Sequence, residues 1–344
     1  MNFFEGYVLK KKNNIYLNKN IAIPKLKKNQ LLIKIKYTSI CGSQIFEISG
    51  LRGKDAYLPH LLGHEGAGIV VDKHKSVKKV NINDEVILTW IKGKGGEGGG
   101  IILKDENDKA INAGPITTFS NYSIISENRV IKKPKSMDMK IASLFGCCIP
   151  TGFGMALNYF KINQKVKVMI IGLGGIGFSS LIMAHSLNPN KIIILDNDIN
   201  KIKNVKKLGF SHSYHVDDHN LKKLKNNIKS MDIDFCIESS GTTKMIEFAI
   251  EVISNRGKVV FASHPKNNQK IKIDPHDLIK GKKIFGSWGG GSKLDFCIEE
   301  YWKVFKNSSL SSNLFSNKFY KFKELKLAIS DMKSKKVLRP IIKL

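Results

Sequence analysis

Val166-Lys-Val-Met-Ile-Ile171 runs directly into Gly172-Leu-Gly-Gly-Ile-Gly177, an apolar segment of helical period follows, and Asp196 stands 19 residues beyond Gly177. A strand that ends in glycines and opens a helix gathers bare backbone N–H groups and the positive end of the helix dipole at one point, where a pyrophosphate can sit. Gly172 permits the tight turn, Gly174 lets phosphates approach the backbone, and Gly177 lets helix and sheet pack closely. The glycine pattern alone is weak; the strand before it, the helix after it and the acid closing the next strand agree with it. Further on, apolar strands over 191–195, 234–238 and 258–261 alternate with helical periods starting at 177, running through 208 and starting again at 243. That rhythm predicts a doubly wound parallel sheet.

Lys191-Ile-Ile-Ile-Leu-Asp196 reads as a buried parallel strand with a carboxylate at its C-terminal end. Such a carboxylate accepts hydrogen bonds from both hydroxyls of an adenosine ribose and repels a 2′-phosphate, which favours NAD over NADP. Lys201 and the basic surface act in the opposite sense.

At 344 residues and 42% hydrophobic content, the chain can bury two sizeable cores. The net charge of +28 raises nucleic acid as a partner, but among 57 basic residues only Arg52, Arg129, Arg256 and Arg339 are arginine. Base and phosphate recognition leans on the arginine fork, whereas lysine here is scattered through every segment. A solvated basic surface is expected, with no nucleic-acid partner. No apolar run approaches the roughly 18 residues of a membrane span, and the start lacks the pattern of a secretory signal, so a cytoplasmic protein without a membrane partner is expected. Five cysteines, at 41, 147, 148, 236 and 297, do not suggest a disulfide framework.

Some of those cysteines are candidate metal ligands. Cys41 follows an alternating strand, His64 and Glu65 lie among glycines in Leu62-Gly-His-Glu-Gly-Ala-Gly68, and Cys147 and Cys148 precede the dinucleotide segment. Singly, a cysteine is most often a small core residue and a histidine a satisfied structural one. Together, two thiolates, an imidazole and an open fourth position make a catalytic rather than a structural zinc site. Two thiolates neutralise Zn²⁺ and leave it able to bind an alcohol and lower its pKa.

Cys41-Gly-Ser43, Gly63-His-Glu65, Asn83-Asp-Glu-Val86, Gly146-Cys147 with Thr151-Gly152, the glycine turn and Leu338-Arg-Pro340 stand in the order found in zinc-dependent alcohol dehydrogenases. Over essentially its whole length the chain resembles the medium-chain dehydrogenase/reductase superfamily. The resemblance implies an α/β protein: a GroES-like β-barrel catalytic domain over 1–149 and 288–344, and a Rossmann NAD-binding domain over 150–287. It implies that Cys41, His64 and Cys147 hold a catalytic zinc, with Glu65 beside the metal and Cys148 a neighbour that leaves the choice of ligand open. Ser43 takes the place of the hydroxyl that receives the substrate's proton. Gly172, Gly174, Gly175, Ile176, Gly177, Asp196 and Thr151 match cofactor-contacting positions, and Arg339 matches an arginine that pairs with the pyrophosphate. The implied activity is interconversion of an alcohol and its carbonyl by direct hydride transfer with NAD(H). The expected substrate is a small-molecule alcohol, whether a secondary alcohol, polyol, sugar or cyclitol, with its identity left open.

Three departures from the pattern stand out. The lobe that often carries a structural zinc on four cysteines reads Trp90-Ile-Lys-Gly-Lys-Gly-Gly-Glu-Gly-Gly-Gly100, which predicts one zinc per chain and no structural zinc. Gln44 replaces an Asp whose carboxylate supports the metal-binding histidine, which lowers the expected metal affinity. Phe46 stands where some members have a relay histidine. Trp90 and Trp288 are candidate cleft aromatics or packing residues, and Glu47, Lys92 and Lys94 are candidate polar contacts to substrate. A zinc-independent quinone or enoyl reductase and a non-catalytic cofactor-binding relative are the alternatives. The resemblance also implies a homodimer or homotetramer, pairing through the stretch 258–262 and the segment 282–286.

Overall fold

The computed structural model describes residues 3–313 and 319–344. The chain divides into two compact units, one from the described parts of 1–147, 293–302 and 315–344, the other from 148–292 and the described part of 303–314.

In the first unit the strands are β1 (Phe3–Lys11), β2 (Asn14–Ala22), β3 (Gln30–Ser39), β4 (His60–Leu61), β5 (Glu65–Lys73), β6 (Glu85–Thr89), β7 (Ile101–Lys104), β8 (Ala110–Gly114), β9 (Tyr122–Ser126) and β10 (Val130–Lys132). They form two sheets, one ordered β2-β1-β4-β8-β7, the other built on β10-β6-β5-β3 with β9 also paired to β3. β3 shows why. Leu31, Ile33 and Ile35 alternate with Leu32 and Lys34, and the first three pack against Val70, Val86, Leu88 and Ile125. The strand period thus puts one apolar face on the core. Its end, Ser39, delivers Cys41 to the start of a short helix, Gly42–Ile48.

The second unit holds β11 (Lys167–Ile171), β12 (Lys191–Asp196), β13 (Ser213–His215), β14 (Ile233–Glu238), β15 (Ile253–Phe261) and β16 (Lys283–Gly286), all parallel and ordered β13-β12-β11-β14-β15-β16. This is the doubly wound order, with its reversal between β11 and β14. The expected strands and helices are present. β15 starts at Ile253 rather than at 258, because Ile253 pairs with Ile233 before a register shift that Arg256, at φ +68°, accommodates. β15 lies inside the sheet, so of the two stretches considered for pairing between copies only β16 is at an edge. Two further strands, β17 (Phe319–Lys321) and β18 (Ile341–Lys343), extend the β3 sheet of the first unit. Among the described residues no single helix is long and apolar enough to cross a membrane.

The glycine-rich segment 90–100 forms no regular element, yet it is firmly held within the first unit. Glu127 accepts the backbone N–H groups of Lys78, Lys79 and Gly96, Glu97 accepts from Ser126 Oγ and pairs with Lys92, and Asp295 takes the Lys94 N–H and the Lys79 ammonium. Carboxylates satisfy the backbone of a loop too poor in side chains to pack.

Candidate functional site

Four groups from separate parts of the first unit converge. Cys41 is the N-cap residue of the helix Gly42–Ile48, in extended conformation. His64 follows Gly63, whose φ of +89° turns the chain into β5 where L side chains rarely go, and Glu65 is the first residue of β5. Cys147 ends the short helical turn Ser143–Gly146, which Thr89 anchors by donating its hydroxyl to the Gly146 carbonyl at 2.8 Å. The ligand atoms of Cys41, His64, Glu65 and Cys147 all lie within 4.8 Å of one another. Cys148, one residue on and fully buried, is outside that set.

The two sulfurs are 3.9 Å apart. Tetrahedral Zn–S bonds of about 2.3 Å require sulfurs about 3.8 Å apart, so the pair already has the separation that a shared zinc imposes. The donor set fits the metal in kind as well, two soft thiolates, an imidazole and a nearby carboxylate. Glu65 Oε2 is buried with no hydrogen-bond partner among the described residues, an acceptor left open for a cation.

The electrostatics of the cluster are those of a site made for positive charge. The Cys41 thiol is held well below its usual range by its hydrogen bond with Cys147, by the Arg339 guanidinium and by His64, against burial. The Cys147 thiol is pushed well above the usual range by the same hydrogen bond, by burial and by the charge of Cys41. One thiolate is therefore favoured and the second opposed, since two anions in one dry site repel each other. Burial pushes the Glu65 carboxyl up to about 7, against the pull of Arg339.

Arg339 donates to Glu65 Oε1 and to Ser39 Oγ, and it is among the most deeply buried side chains of the chain. The reading of the sequence assigned it to the pyrophosphate; within the first unit its guanidinium is taken by Glu65, a member of the converging set, and by Ser39. Ser43 lies on the helix that Cys41 caps and is partly exposed.

In the second unit the glycine turn is built as its residues require. Gly172 has φ +85°, and a Cβ at Gly177 would overlap the Gly172 carbonyl oxygen. The helix Gly175–Ser186 starts with Gly174 as its N-cap and no side-chain cap, and a Cβ at Gly174 would meet nothing within 4 Å. A helix start without a side-chain cap, beside a glycine with room around it, is a fit cradle for phosphate. Gly175 and Ile176, on the first turn of that helix, are partly exposed. Asp196, at the end of β12, accepts from Leu173 N–H with one oxygen and from Asp198 N–H at 2.7 Å with the other, and Lys201 Nζ is 3.9 Å away. Thr151 is buried in the helix Cys148–Asn158. The aromatic candidates diverge: Trp90 packs against the β3 core and Trp288 is 72% exposed. Lys92 is paired with Glu97, and Lys94 sits 4.1 Å over the Phe296 ring, so both belong to the glycine-rich loop.

One group and one set of contacts escaped the reading of the sequence. Glu238 ends β14 beside the turn, buried, with Oε1 accepting from the Ser240 N–H and hydroxyl, and Oε2 without a partner among the described residues. A strand closing on an acid, as β12 does on Asp196, was the available signal. Behind His64, Gln44 donates to Glu47 Oε2 at 2.7 Å, and His60 lies between Asp55 Oδ2 at 2.9 Å and Glu47 Oε1 at 3.9 Å. No spacing rule announces that chain of contacts.

Residues 27–135 match the family model for the alcohol dehydrogenase GroES-like domain, and residues 175–307 that for zinc-binding dehydrogenase. The chain is 26% identical over 315 residues to an S-(hydroxymethyl)glutathione dehydrogenase of Escherichia coli O6:H1, spanning 83% of this chain and 85% of the relative. Its fold superposes on an alcohol dehydrogenase zinc-binding domain protein of Burkholderia ambifaria with a TM-score of 0.87 at 22% identity, covering 99% of this chain and 98% of that one. For benzyl alcohol dehydrogenase of Acinetobacter calcoaceticus the TM-score is 0.86 at 23% identity, with 99% of each chain covered.

Proposed function

Because the chain belongs to the zinc-type alcohol dehydrogenases of the medium-chain dehydrogenase/reductase superfamily, we propose that it interconverts a small alcohol and its carbonyl with NAD(H). The observation that carries this reading is the convergence of Cys41, His64, Glu65 and Cys147, with their sulfurs at the spacing of a shared metal. A zinc-independent reductase or a non-catalytic relative has no use for that set.

Cys41, His64 and Cys147 would hold the zinc, and Glu65, kept behind them by Arg339, is the acid near enough to exchange into its shell. Zinc, when bound, supplies Lewis-acid polarisation of the alcohol oxygen, and NAD supplies the hydride acceptor. Ser43 receives the hydroxyl proton and passes it outward. With Phe46 in the place of a relay histidine, the proton continues by way of a cofactor ribose hydroxyl and water. Gly172, Gly174, Gly175, Ile176 and Gly177 bind the pyrophosphate through backbone N–H groups, and Thr151 adds a contact. Asp196 receives the ribose hydroxyls; each of its oxygens keeps a lone pair beyond its backbone bond, and its charge disfavours a 2′-phosphate. Arg339 acts here by stabilising the anionic ligand set, and its assignment to the pyrophosphate stays part of the same proposal.

One zinc per chain, with no structural zinc, is supported by a loop at 90–100 that contains no cysteine and whose Lys94 and Gly96 N–H groups are taken by Asp295 and Glu127. A cytoplasmic homodimer or homotetramer pairing through β16 completes the reading. Its test is direct: Cys41→Ser and His64→Ala are each expected to lose bound zinc and at least about 10³-fold in NAD-linked alcohol turnover. Wild-type turnover in either variant would overturn it.

A further inference from the structure

The histidine of the metal set has an amide, not a carboxylate, at its back, and the two ends of that amide are not interchangeable. Gln44 Oε1 accepts the Gly63 N–H at 2.6 Å, while Gln44 Nε2 donates to Glu47 Oε2 at 2.7 Å. Both contacts fix the same orientation, because a backbone N–H can only donate and an ionised carboxylate can only accept. The remaining N–H of the amide then points at His64 Nδ1, 3.0 Å away. A donor there requires Nδ1 to be the acceptor, which in the neutral ring places the proton on Nε2. With Nδ1 given to Gln44, Nε2 is the nitrogen left for a metal, and a protonated nitrogen is no ligand.

We infer that Gln44, clamped by Gly63 and Glu47, selects the His64 tautomer that opposes zinc, so that Glu47 is a positioning residue that loosens this centre's hold on its metal. The inference rests on the zinc reading above and sets the strength of that same site. Zinc entry has to move the imidazole proton to Nδ1 and turn the amide over. That places Oε1 against the Glu47 carboxylate and Nε2 against the Gly63 N–H, two mismatched contacts in place of two good ones. Behind Glu47, His60 Nε2 lies 3.9 Å from its Oε1 and 2.9 Å from Asp55 Oδ2, while His60 Nδ1 lies 2.8 Å from the Leu61 carbonyl. The centre is thereby a readily exchanging one, loaded when zinc is plentiful.

The experiment measures the zinc dissociation constant of the full-length, reduced, metal-free protein by competition with a chromogenic chelator. Glu47→Gln offers an oxygen or a nitrogen to either face of the amide and releases the clamp; zinc binding is expected to tighten about 10-fold, within the range that outer-shell partners exert. The sign is diagnostic, since deleting a negative charge near a cation would by itself weaken binding. Gln44→Asp, which can only accept from Nδ1–H, is expected to tighten binding by at least as much. In a Gln44→Ala background, Glu47→Gln is expected to give no tightening, because the amide through which it acts is gone and only the loss of charge remains. Unchanged or weaker binding in Glu47→Gln, or an equal gain without Gln44, overturns the inference. If neither the wild-type protein nor any variant binds zinc, the reading of the metal centre falls, and this inference with it.

Discussion

Glu238 shows how a single buried group carries a signature that the whole protein reports. Burial raises its carboxyl to about 7, while the Ser240 hydroxyl and N–H pull the other way. A carboxyl bound more tightly to its proton in the folded chain than in the unfolded one stabilises the fold below pH 4.5, and stability is lost as the pH rises towards 7. Glu238→Gln keeps the acceptor for Ser240 and removes the charge. It is expected to leave the thermal midpoint unchanged near pH 4 and to raise stability at pH 8 by up to about 3 kcal/mol. Thermal melts across that range check it, and an equal effect at both ends would refute it. At this scale the ligand types were legible because chemistry constrains them: only Cys, His and acids bind zinc in this way. Arg339 was legible as a functional arginine, but its contact with Glu65, 274 positions away, was not, because no local pattern records it.

At the level of elements, the turn after β11 contains two glycines needed for different reasons. A Cβ at Gly177 would overlap the Gly172 carbonyl oxygen and lie 2.5 Å from Ser239 Oγ, so Gly177→Ala pushes the helix Gly175–Ser186 off the sheet. A loss of about 1–3 kcal/mol in stability is expected, together with weaker NADH binding. Gly174 has φ near −75°, which alanine adopts freely, and open space where a Cβ would go. Gly174→Ala is therefore expected to melt within about 0.5 kcal/mol of wild type and still bind NADH at least about 10-fold more weakly, since the methyl group occupies the phosphate's place. Calorimetry and fluorescence titration separate the two, and a Gly174→Ala protein with normal NADH affinity would count against the turn as the phosphate site. These elements were readable in advance because a 3.6-residue period, a buried strand and a glycine turn are local properties. The early start of β15 was not, since its first residues join the sheet through pairing with Ile233 rather than through their own pattern.

For the molecule as a whole, the testable quantity is its metal content. The loop at 90–100 gains its shape from Glu97, Glu127 and Asp295. Elemental analysis of the purified protein is accordingly expected to give at most one zinc per chain. Chelation is expected to abolish turnover and leave the fold of this loop intact, as read by limited proteolysis; a second zinc, or proteolysis within 90–100 after chelation, would contradict this.

The sequence by itself determined the two kinds of domain, the glycine turn and the residue types of the candidate metal set, because periodicity, turn chemistry and ligand chemistry act over a few residues or through residue type alone. Only the tertiary structure decided which of the two adjacent cysteines joins the set, that Arg339 stands behind Glu65, and that Gln44 turns its nitrogen to His64. Those outcomes depend on distances between segments far apart in the chain and on which partner each donor meets in a buried place. There every hydrogen bond has to be matched, and a mismatch of donor with donor sets how firmly a metal is held.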